Sequence, residues 1–308
     1  MKQEKLIFTS FFYPIKSSVI NAFLLAESIR TFVGSMAQAP IWFFMPDNGE
    51  KLSSKIETKL NNLNVELIPI KIPKDALQFP FSAEILASAS AESKAIGQAD
   101  FLVWLGNNTI VLQEPKHFVL PADKNLGFRP VHHTLVGSLY DKPLEPFWTL
   151  IYQSCQVPED RIFPMTTHID GNRIRPYFNA GLLITRPEKK LFQAWHDAFF
   201  NLYQKPDFQK FYQLDNRYVI FIHQAILSGV ILSNFETKEI QELPATYNYP
   251  VHLYADDITD NRPSSFDELT TLRHEGFYTD PDWMKKMPAS DSLKQWLAQR
   301  LDGVESII

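Results

Sequence analysis

Residues 101–112 read FLVWLGNNTIVL, and this stretch decides the fold class. Residues 101–105 are all apolar and have the length of a strand that is buried on both faces. Gly106, Asn107 and Asn108 interrupt the apolar pattern, which resumes at residues 109–112. The pattern predicts a buried parallel strand with a polar break at its carboxyl end, which is where α/β sheets bind ligands.

Apolar runs alternate with amphipathic stretches on both sides of this strand, and this β-α-β-α-β order indicates a parallel sheet with right-handed crossovers. Ser17 or Ser18 is expected to cap the first helix, and residues 46–49 (PDNG) to form a turn. The patterns predict strands at residues 6–12, 41–45, 65–70, 109–112 and 177–185, and helices at 17–33, 53–63, 82–96, 188–203 and 291–301. Residues 218–227 fit either a strand or a helix, and residues 223–227 favour the helix.

Composition excludes several classes of protein. The 308 residues carry a formal net charge of −5 without a block of like charges, so nucleic acid and membrane surfaces are not expected partners. A single cysteine rules out a disulfide scaffold, and no apolar run reaches the ~20 residues of a transmembrane segment. We therefore expect a cytoplasmic protein. Dinucleotide, P-loop and metalloprotease motifs are also absent from the sequence.

Four ordered segments resemble glycosyltransferase family 8 and its glycogenin-like relatives. Residues 103–112 (VWLGNNTIVL) resemble the family's strand–DxD–strand, and residues 177–184 (YFNAGLLI) resemble its F-N-A-G segment. Residues 223–227 (HQAIL) resemble D-Q-x-h-L, and residues 243–248 (LPATYN) resemble L-P…Y-N. The resemblance covers about residues 6–248. It implies an α/β GT-A fold with a mainly parallel central sheet flanked by helices in three layers (α/β/α). It also implies one domain over residues 1–308, with a helical C-terminal extension from about residue 255.

The family's DxD carboxylates hold Mn²⁺ or Mg²⁺ against the leaving diphosphate. In this sequence Gly106 and Asn108 occupy those two positions, and His223 replaces the aspartate of D-Q. No metal ligand is therefore assigned, and Mn²⁺ or Mg²⁺ is an open but disfavoured cofactor. Either an arginine such as Arg129, Arg173 or Arg175 stabilises the phosphates, or a ligand is bound without turnover.

The resemblance also implies a set of site residues. The nucleobase is expected near residues 9–13, the diphosphate near residues 106–108 and the late H-x-G histidine, and the donor sugar near residues 179–181. The expected catalytic residues are His223, Gln224 and Asn179. The expected nucleotide-sugar-binding residues are Thr9, Ser10, Tyr13, Gly106, Asn107, Asn108, His132, Asn179, Ala180, Gly181 and His274.

Three functional hypotheses follow. The first is a retaining-type glycosyltransferase that moves a sugar from a nucleotide-diphosphate sugar to an acceptor that the sequence leaves open. The second is a non-catalytic GT-A-like protein that binds a sugar nucleotide or glycan. The third is a metal-independent hydrolase with paired acids such as Asp170 and Asp215. His168 and Asp170 would also make an oriented general base if the carboxylate held the imidazole, the alternative being a structural role for both.

Overall fold

The computed structural model of the protein describes residues 4–47 and 51–307, so Asn48 and Gly49 of the expected turn lie outside the described residues. The strands within these ranges are β1 (Leu6–Phe11), β2 (Ile41–Pro46), β3 (Val65–Ile70), β4 (Phe101–Leu105), β5 (Thr109–Val111), β6 (Leu126–Pro130), β7 (Met165–Thr166), β8 (Arg173–Ile174), β9 (Phe178–Thr185), β10 (Ile240–Glu242), β11 (Tyr249–Pro250) and β12 (Thr271–Arg273). The helices are α1 (Lys16–Phe32), α2 (Ser54–Asn62), α3 (Ser82–Ala95), α4 (Pro146–Ser154), α5 (Leu191–Leu202), α6 (Pro206–Leu214), α7 (Asn216–Asn234), α8 (Trp283–Lys286) and α9 (Asp291–Glu305).

The central sheet has seven strands in the order β10-β6-β9-β4-β1-β2-β3. Strand β1 pairs in parallel with β2 and β4, and β2 pairs in parallel with β3. Strand β9 pairs antiparallel with both β4 and β6, and β10 runs parallel to β6. The six strands other than β9 therefore share one direction, and their carboxyl ends lie along one edge of the sheet.

Both faces of the sheet are buried, which explains the continuous apolar runs in its strands. Along β1 and β4, neighbouring side chains enter opposite cores: Ile7 and Leu102 pack on one face, and Phe8 and Val103 on the other. The first core includes the apolar faces of α3, α5 and α7, and the second includes those of α1 and α9. The predicted three-layer α/β/α arrangement with a mainly parallel sheet is confirmed.

A smaller sheet joins the polar break after β4 to the C-terminal part of the chain. Strand β5 leaves the central sheet and pairs antiparallel with β12, so that Arg273 lies opposite Thr109. Strand β12 also pairs in parallel with β11. This pairing brings residues 271–275 beside residues 106–109, although more than 160 residues separate them in sequence.

Two details of the predicted helices were wrong. Helix α1 begins at Lys16 without a side-chain cap, and Ser18 lies inside it, where its hydroxyl accepts a hydrogen bond from the Tyr13 amide. Helix α5 begins at Leu191 rather than at residue 188, because Lys190 adopts a positive φ of 54° after a turn of 3₁₀ helix. Among the described residues, no helix combines the length and the apolar character that crossing a bilayer requires.

Candidate functional site

A cavity of about 460 Å³ opens at the carboxyl edge of the central sheet. Its walls come from the segments that follow β4 and β6, from the start of β9 and from helix α7. Nine of the residues predicted from the sequence line it together, namely Gly106, Asn107, Asn108, His132, Asn179, Ala180, Gly181, His223 and Gln224. The sequence segments that carried the resemblance therefore converge on one site.

Backbone hydrogen bonds fix the start of β9 inside the cavity wall. The Ala180 amide donates to Gln224 Oε1 at 2.9 Å, which ties the strand to α7. The Gly181 amide donates to Asn179 Oδ1 at 2.8 Å, and the Gly106 amide donates to the Gly181 carbonyl at 2.8 Å. Gln224 and Asn179 each use their carbonyl oxygen on the backbone, and Asn179 Nδ2 also lies within hydrogen-bond distance of His132 Nε2. The Gln224 amide nitrogen and one N–H of Asn179 remain as donors toward a ligand.

The two asparagines after β4 are held by different neighbours. Asn107 Nδ2 donates to Ser18 Oγ at 2.7 Å, which ties the loop to the start of α1. Asn108 Nδ2 donates to the His274 carbonyl at 2.8 Å and lies 3.3 Å from Glu275 Oε1. These contacts fix the amide orientation of each residue.

His132 sits between two asparagine amides. Its Nε2 lies 3.3 Å from Asn179 Nδ2 and 3.2 Å from the Asn248 carbonyl oxygen. Burial and then the charge of Arg273 hold the pKa of His132 well below its ordinary value, so the ring is neutral at pH 7. A neutral imidazole at this place acts as a hydrogen-bonding group and not as a cation.

His223 is also a neutral hydrogen-bonding group. Its Nδ1 lies 2.8 Å from the Ile220 carbonyl, and its ring stacks on Phe81 with centroids 4.4 Å apart. Burial lowers its pKa to about 3, which makes it a weak general base at neutral pH. With Nδ1 donating to the backbone, Nε2 is left to accept a hydrogen bond from a hydroxyl group.

Four predicted residues do not line this cavity. Thr9 and Ser10 are fully buried in β1, and the hydroxyl of each has no hydrogen-bond partner among the described residues. Tyr13 packs its ring edge-on against Phe11, which does line the cavity. The His274 ring is fully buried, with Nδ1 accepting from the Gly276 amide, and it reaches the site only through its backbone contact with Asn108.

Arg273 is the cation of the cavity, and the sequence analysis missed it. Its guanidinium lies against the backbone of Gly181, where a Cβ would approach Nη1 to 2.8 Å. Glu275 Oε1 is 3.8 Å from Nε, and Nε has no hydrogen-bond partner among the described residues. Burial lowers the pKa of Arg273, although arginine remains charged at neutral pH. Only the pairing of β5 with β12 reveals its position, because Arg273 belongs to none of the motifs.

Glu84 is a second lining residue that sequence reasoning missed. It belongs to α3, and burial raises the pKa of its carboxyl to about 7. Glu84 is the only acidic residue in the first nine positions of this Ala- and Ser-rich helix, and this isolated charge is the sequence feature that could have indicated it. A carboxyl with a pKa near 7 can take or release a proton at physiological pH.

The other candidates suggested by the sequence lie elsewhere. Arg129 is buried and pairs with Glu242, whereas Arg173 pairs with Asp141 on the surface. Arg175 donates to backbone carbonyls of the 138–142 segment.

The proposed acid and base pairs do not form. Asp170 accepts from the Thr167 hydroxyl and the Thr134 amide, and its close histidine is His133 at 3.6 Å rather than His168. Asp215 caps α7 and pairs with Arg217, and it does not line the cavity.

The residues at the DxD positions do not fit a divalent metal. Gly106 has no side chain, and Asn108 spends its amide nitrogen on the His274 carbonyl, which leaves one neutral oxygen. Within residues 4–47 and 51–307, no three His, Cys, Asp or Glu side chains form a group that could hold a metal ion.

The fold and the site together define the class of protein: an α/β protein of the GT-A fold with a cavity at the carboxyl edge of its sheet. The sequence profile of the Rhodobacterales glycosyltransferase domain matches residues 16–231, and the chain belongs to this family. No curated protein sequence matches the chain.

The chain aligns with solved glycosyltransferase structures at low sequence identity. The bifunctional glycosyltransferase WbbM in its apo form aligns over 97% of this chain with a TM-score of 0.53 and 13% identity. The chain spans about half of WbbM, 52% of its length. The galactosyltransferase LgtC in complex with donor and acceptor sugar analogues aligns over 97% of this chain and 94% of its own, with a TM-score of 0.47 and 16% identity. An active-site mutant of LgtC aligns over 88% of this chain and 87% of its own, with a TM-score of 0.49 and 15% identity.

Proposed function

We propose that the protein is a metal-independent glycosyltransferase that moves a sugar from a nucleotide-diphosphate sugar to an acceptor. The observation that carries this proposal is the Arg273 guanidinium, which lies beside Gly181 in the cavity that Gly106 and Asn108 also line. A diphosphate leaving group gains negative charge as its bond to the sugar breaks. A fixed guanidinium stabilises that charge without a metal, and its planar fork matches phosphate oxygens.

The cavity offers neutral groups for the sugar and the acceptor. Gln224 and Asn179 present amide donors, and His223 presents an acceptor nitrogen, which together suit the hydroxyl groups of a sugar. The transfer breaks the bond between the anomeric carbon and the diphosphate oxygen and forms a bond to an acceptor oxygen. That oxygen loses a proton, and Glu84 is the lining group whose pKa, raised by burial to about 7, suits it to receive one.

Thermal unfolding with UDP, GDP, CMP and their common sugar conjugates tests the donor site, each in EDTA and again with Mn²⁺. A ligand at 100 times its dissociation constant adds about 2.7 kcal/mol of stability, which raises the unfolding midpoint of a domain this size by several degrees. We expect a shift in EDTA with one nucleotide family, followed by release of the nucleoside diphosphate from its sugar conjugate. A shift that requires Mn²⁺ would contradict the metal-free mechanism.

A second candidate is a binding protein without turnover. The loss of both DxD carboxylates favours it, together with the low pKa of His223. Turnover of any donor that disappears in an Asn179→Ala variant would exclude this candidate. A donor that raises the unfolding midpoint and is never consumed, with any acceptor, would favour it.

We also propose that residues 1–308 act as one GT-A-like domain with an extension from about residue 255. The contact of the Phe32 and Trp296 rings, with centroids 5.0 Å apart, supports it. The Lys59 ammonium also donates to the Gly303 carbonyl at 2.6 Å. Limited proteolysis that releases a stable fragment ending near residue 255 would contradict a single unit. Cytoplasmic location stays a prediction from the sequence.

A further inference from the structure

Backbone hydrogen bonds join the segment that follows β6 to the turn at residues 167–172. The amides of residues 168–169 donate to the carbonyls of residues 131–132, at 3.1 and 2.9 Å. This pairing brings the next residue of each segment together, so that His133 Nδ1 lies 3.6 Å from Asp170 Oδ2. The fold itself therefore sets an imidazole beside a carboxylate.

Asp170 is held in place and kept ionised by its neighbours. Its Oδ1 accepts a hydrogen bond from the Thr167 hydroxyl, and its Oδ2 accepts one from the Thr134 amide at 3.2 Å. Burial alone would raise the pKa of Asp170, but these hydrogen bonds and then the charge of His133 outweigh burial and hold the pKa below its ordinary value. A charged carboxylate in this place orients the imidazole and stabilises its protonated form.

The His133 ring belongs to the wall of the cavity described above, whereas Asp170 does not line that cavity. The His133 side chain is 27% exposed, so a ligand can reach the ring. Because Nδ1 is turned toward Asp170, Nε2 on the other side of the ring is the nitrogen left for a ligand.

His133 differs from the other histidines of the cavity in its charge partner. The cavity is lined by His132, His133, His223 and His252. Burial lowers the pKa of each of the other three. Of the four, only His133 forms an ion pair with a carboxylate among the described residues. It is therefore the histidine of the cavity whose protonated form is stabilised by a fixed negative charge.

His133 and Arg273 lie in the same part of the cavity wall. Burial lowers the pKa of His252, and the nearby Glu275 partly opposes this effect. The charges of Arg273 and His133 then lower the pKa of His252 further, so both groups lie within electrostatic range of it. Asp170 and Glu275 are the carboxylates beside these two cations. A ligand phosphate held by Arg273 is thus close to the His133 ring.

We propose that His133, oriented by Asp170, is a further catalytic residue, which binds the departing diphosphate as an imidazolium and gives it a proton. This inference rests on the proposed transfer from a nucleotide-diphosphate sugar. When the bond between the anomeric carbon and the diphosphate oxygen breaks, its electron pair stays on that oxygen, which takes the Nε2 proton. The acceptor hydroxyl gives its proton to Glu84. One proton therefore moves from the acceptor to the diphosphate, and both side chains are reset by exchange with water.

Calorimetry of UDP, GDP and ADP binding in EDTA tests this role without turnover. We expect His133→Gln to bind the preferred nucleotide about tenfold more weakly than the wild type at pH 6 and within about twofold of it at pH 8, because the charged hydrogen bond exists only while the ring is protonated. The ratio of the two affinities does not depend on the titration of the phosphate itself. Asp170→Asn should show the same trend, since an amide no longer stabilises the imidazolium.

The matched control is His196→Gln, which removes an imidazole from a surface pair with Asp197, where Nδ1 and Oδ1 are 2.9 Å apart. This variant should bind as the wild type does at both pH values. Repeating the titrations in buffers of different ionisation enthalpy measures proton uptake, and the wild type should take up more protons per nucleotide at pH 7 than His133→Gln or Asp170→Asn. Because the His133 ring is partly exposed, its replacement should leave the unfolding midpoint unchanged, and Asp170→Asn provides a second variant.

The outcomes separate this inference from the proposed function. If the wild type binds none of the three nucleotides, the proposed function fails and this inference fails with it. If a nucleotide binds and His133→Gln matches the wild type at both pH values, this inference alone is overturned. It is also overturned if the excess proton uptake disappears in His252→Gln and persists in His133→Gln, since His252 then carries the proton.

Discussion

Replacing Arg273 by glutamine should weaken nucleotide binding without destabilising the fold. The guanidinium lies against Gly181 with Glu275 3.8 Å from its Nε, and Nε itself is unpartnered in the described residues. Hydrogen bonds to charged groups contribute about 1.5–3 kcal/mol each. We set the net loss at about 2–3 kcal/mol, because the variant also no longer has to bury a charge. That corresponds to roughly 30- to 150-fold weaker binding of a nucleoside diphosphate.

The stability of the Arg273→Gln variant without ligand should be equal to or higher than that of the wild type. Burial lowers the pKa of Arg273, which shows that the folded protein desolvates this charge with little compensation. We therefore expect the unfolding midpoint of Arg273→Gln without ligand to be equal to or above that of the wild type. The same change should raise the pKa of His132, since Arg273 is the second cause of its low value after burial.

Calorimetry with the nucleoside diphosphate that gives the largest thermal shift measures the affinity, and NMR titration measures the histidine. Arg173→Gln is the matched control, because it removes the same charge from an exposed pair with Asp141 that contributes little. The mechanism is refuted if Arg273→Gln retains its fold and binds within threefold of the wild type. It is also refuted if Arg173→Gln loses affinity to the same degree.

Four further variants test the close contacts and the buried carboxyl groups. Gly181→Ala places a Cβ 2.8 Å from the guanidinium and 3.0 Å from an amide oxygen, so nucleotide affinity should fall at least tenfold while the midpoint changes by less than about 2 °C; unchanged affinity would contradict the described contact. The pKa of Glu84 is raised from 4.5 to about 7, so its contribution to the free energy of unfolding is fully present below pH 4.5 and is lost as the pH rises through 7. In urea unfolding, the free energy of unfolding of Glu84→Gln should therefore exceed that of the wild type by on the order of 3 kcal/mol at pH 8 and by almost nothing at pH 4. Glu92→Gln should show the same pH trend without a change in turnover, since burial likewise raises the pKa of Glu92 to about 7. Gly229→Ala would bring a Cβ to 2.6 Å from Cys155 Sγ, and overpacking of this kind lowers the free energy of unfolding by about 1–3 kcal/mol. An unchanged midpoint in thermal unfolding would show that α7 and the end of α4 move apart without cost.

Much of the fold was predictable because its strands are buried on both faces. The predicted strands at residues 41–45 and 101–105 are bounded apolar runs, and the structure places β2 and β4 there. Helix α4 was not predicted, because it is only nine residues long and lies between loops in the Pro-rich segment 118–176. The antiparallel direction of β9 was also invisible, since an apolar strand reads the same in either direction.

Site residues that lie next to a predicted strand could be predicted from the sequence. Residues that reach the cavity only through the pairing of distant strands could not. Asn108 is recognisable because it follows an apolar run, and Gly181 because its segment resembles the F-N-A-G segment of the family. Arg273 is not, since its place in the cavity depends on the register of β12 against β5. The arginines proposed in place of the missing DxD carboxylates, such as Arg129, have partners of their own instead.

The antiparallel strand β9, which lies inside the sheet between β6 and β4, affects the order in which the sheet forms during synthesis. Strand β4 ends at Leu105, yet its neighbour β9 begins only at Phe178. Until that residue leaves the ribosome, a nascent sheet of β3, β2, β1 and β4 ends in an open edge of five apolar residues. Such an edge readily recruits strands of other chains. Synthesis that stalls between residues 105 and 178 should therefore yield aggregating fragments, and chaperone demand should peak in that window.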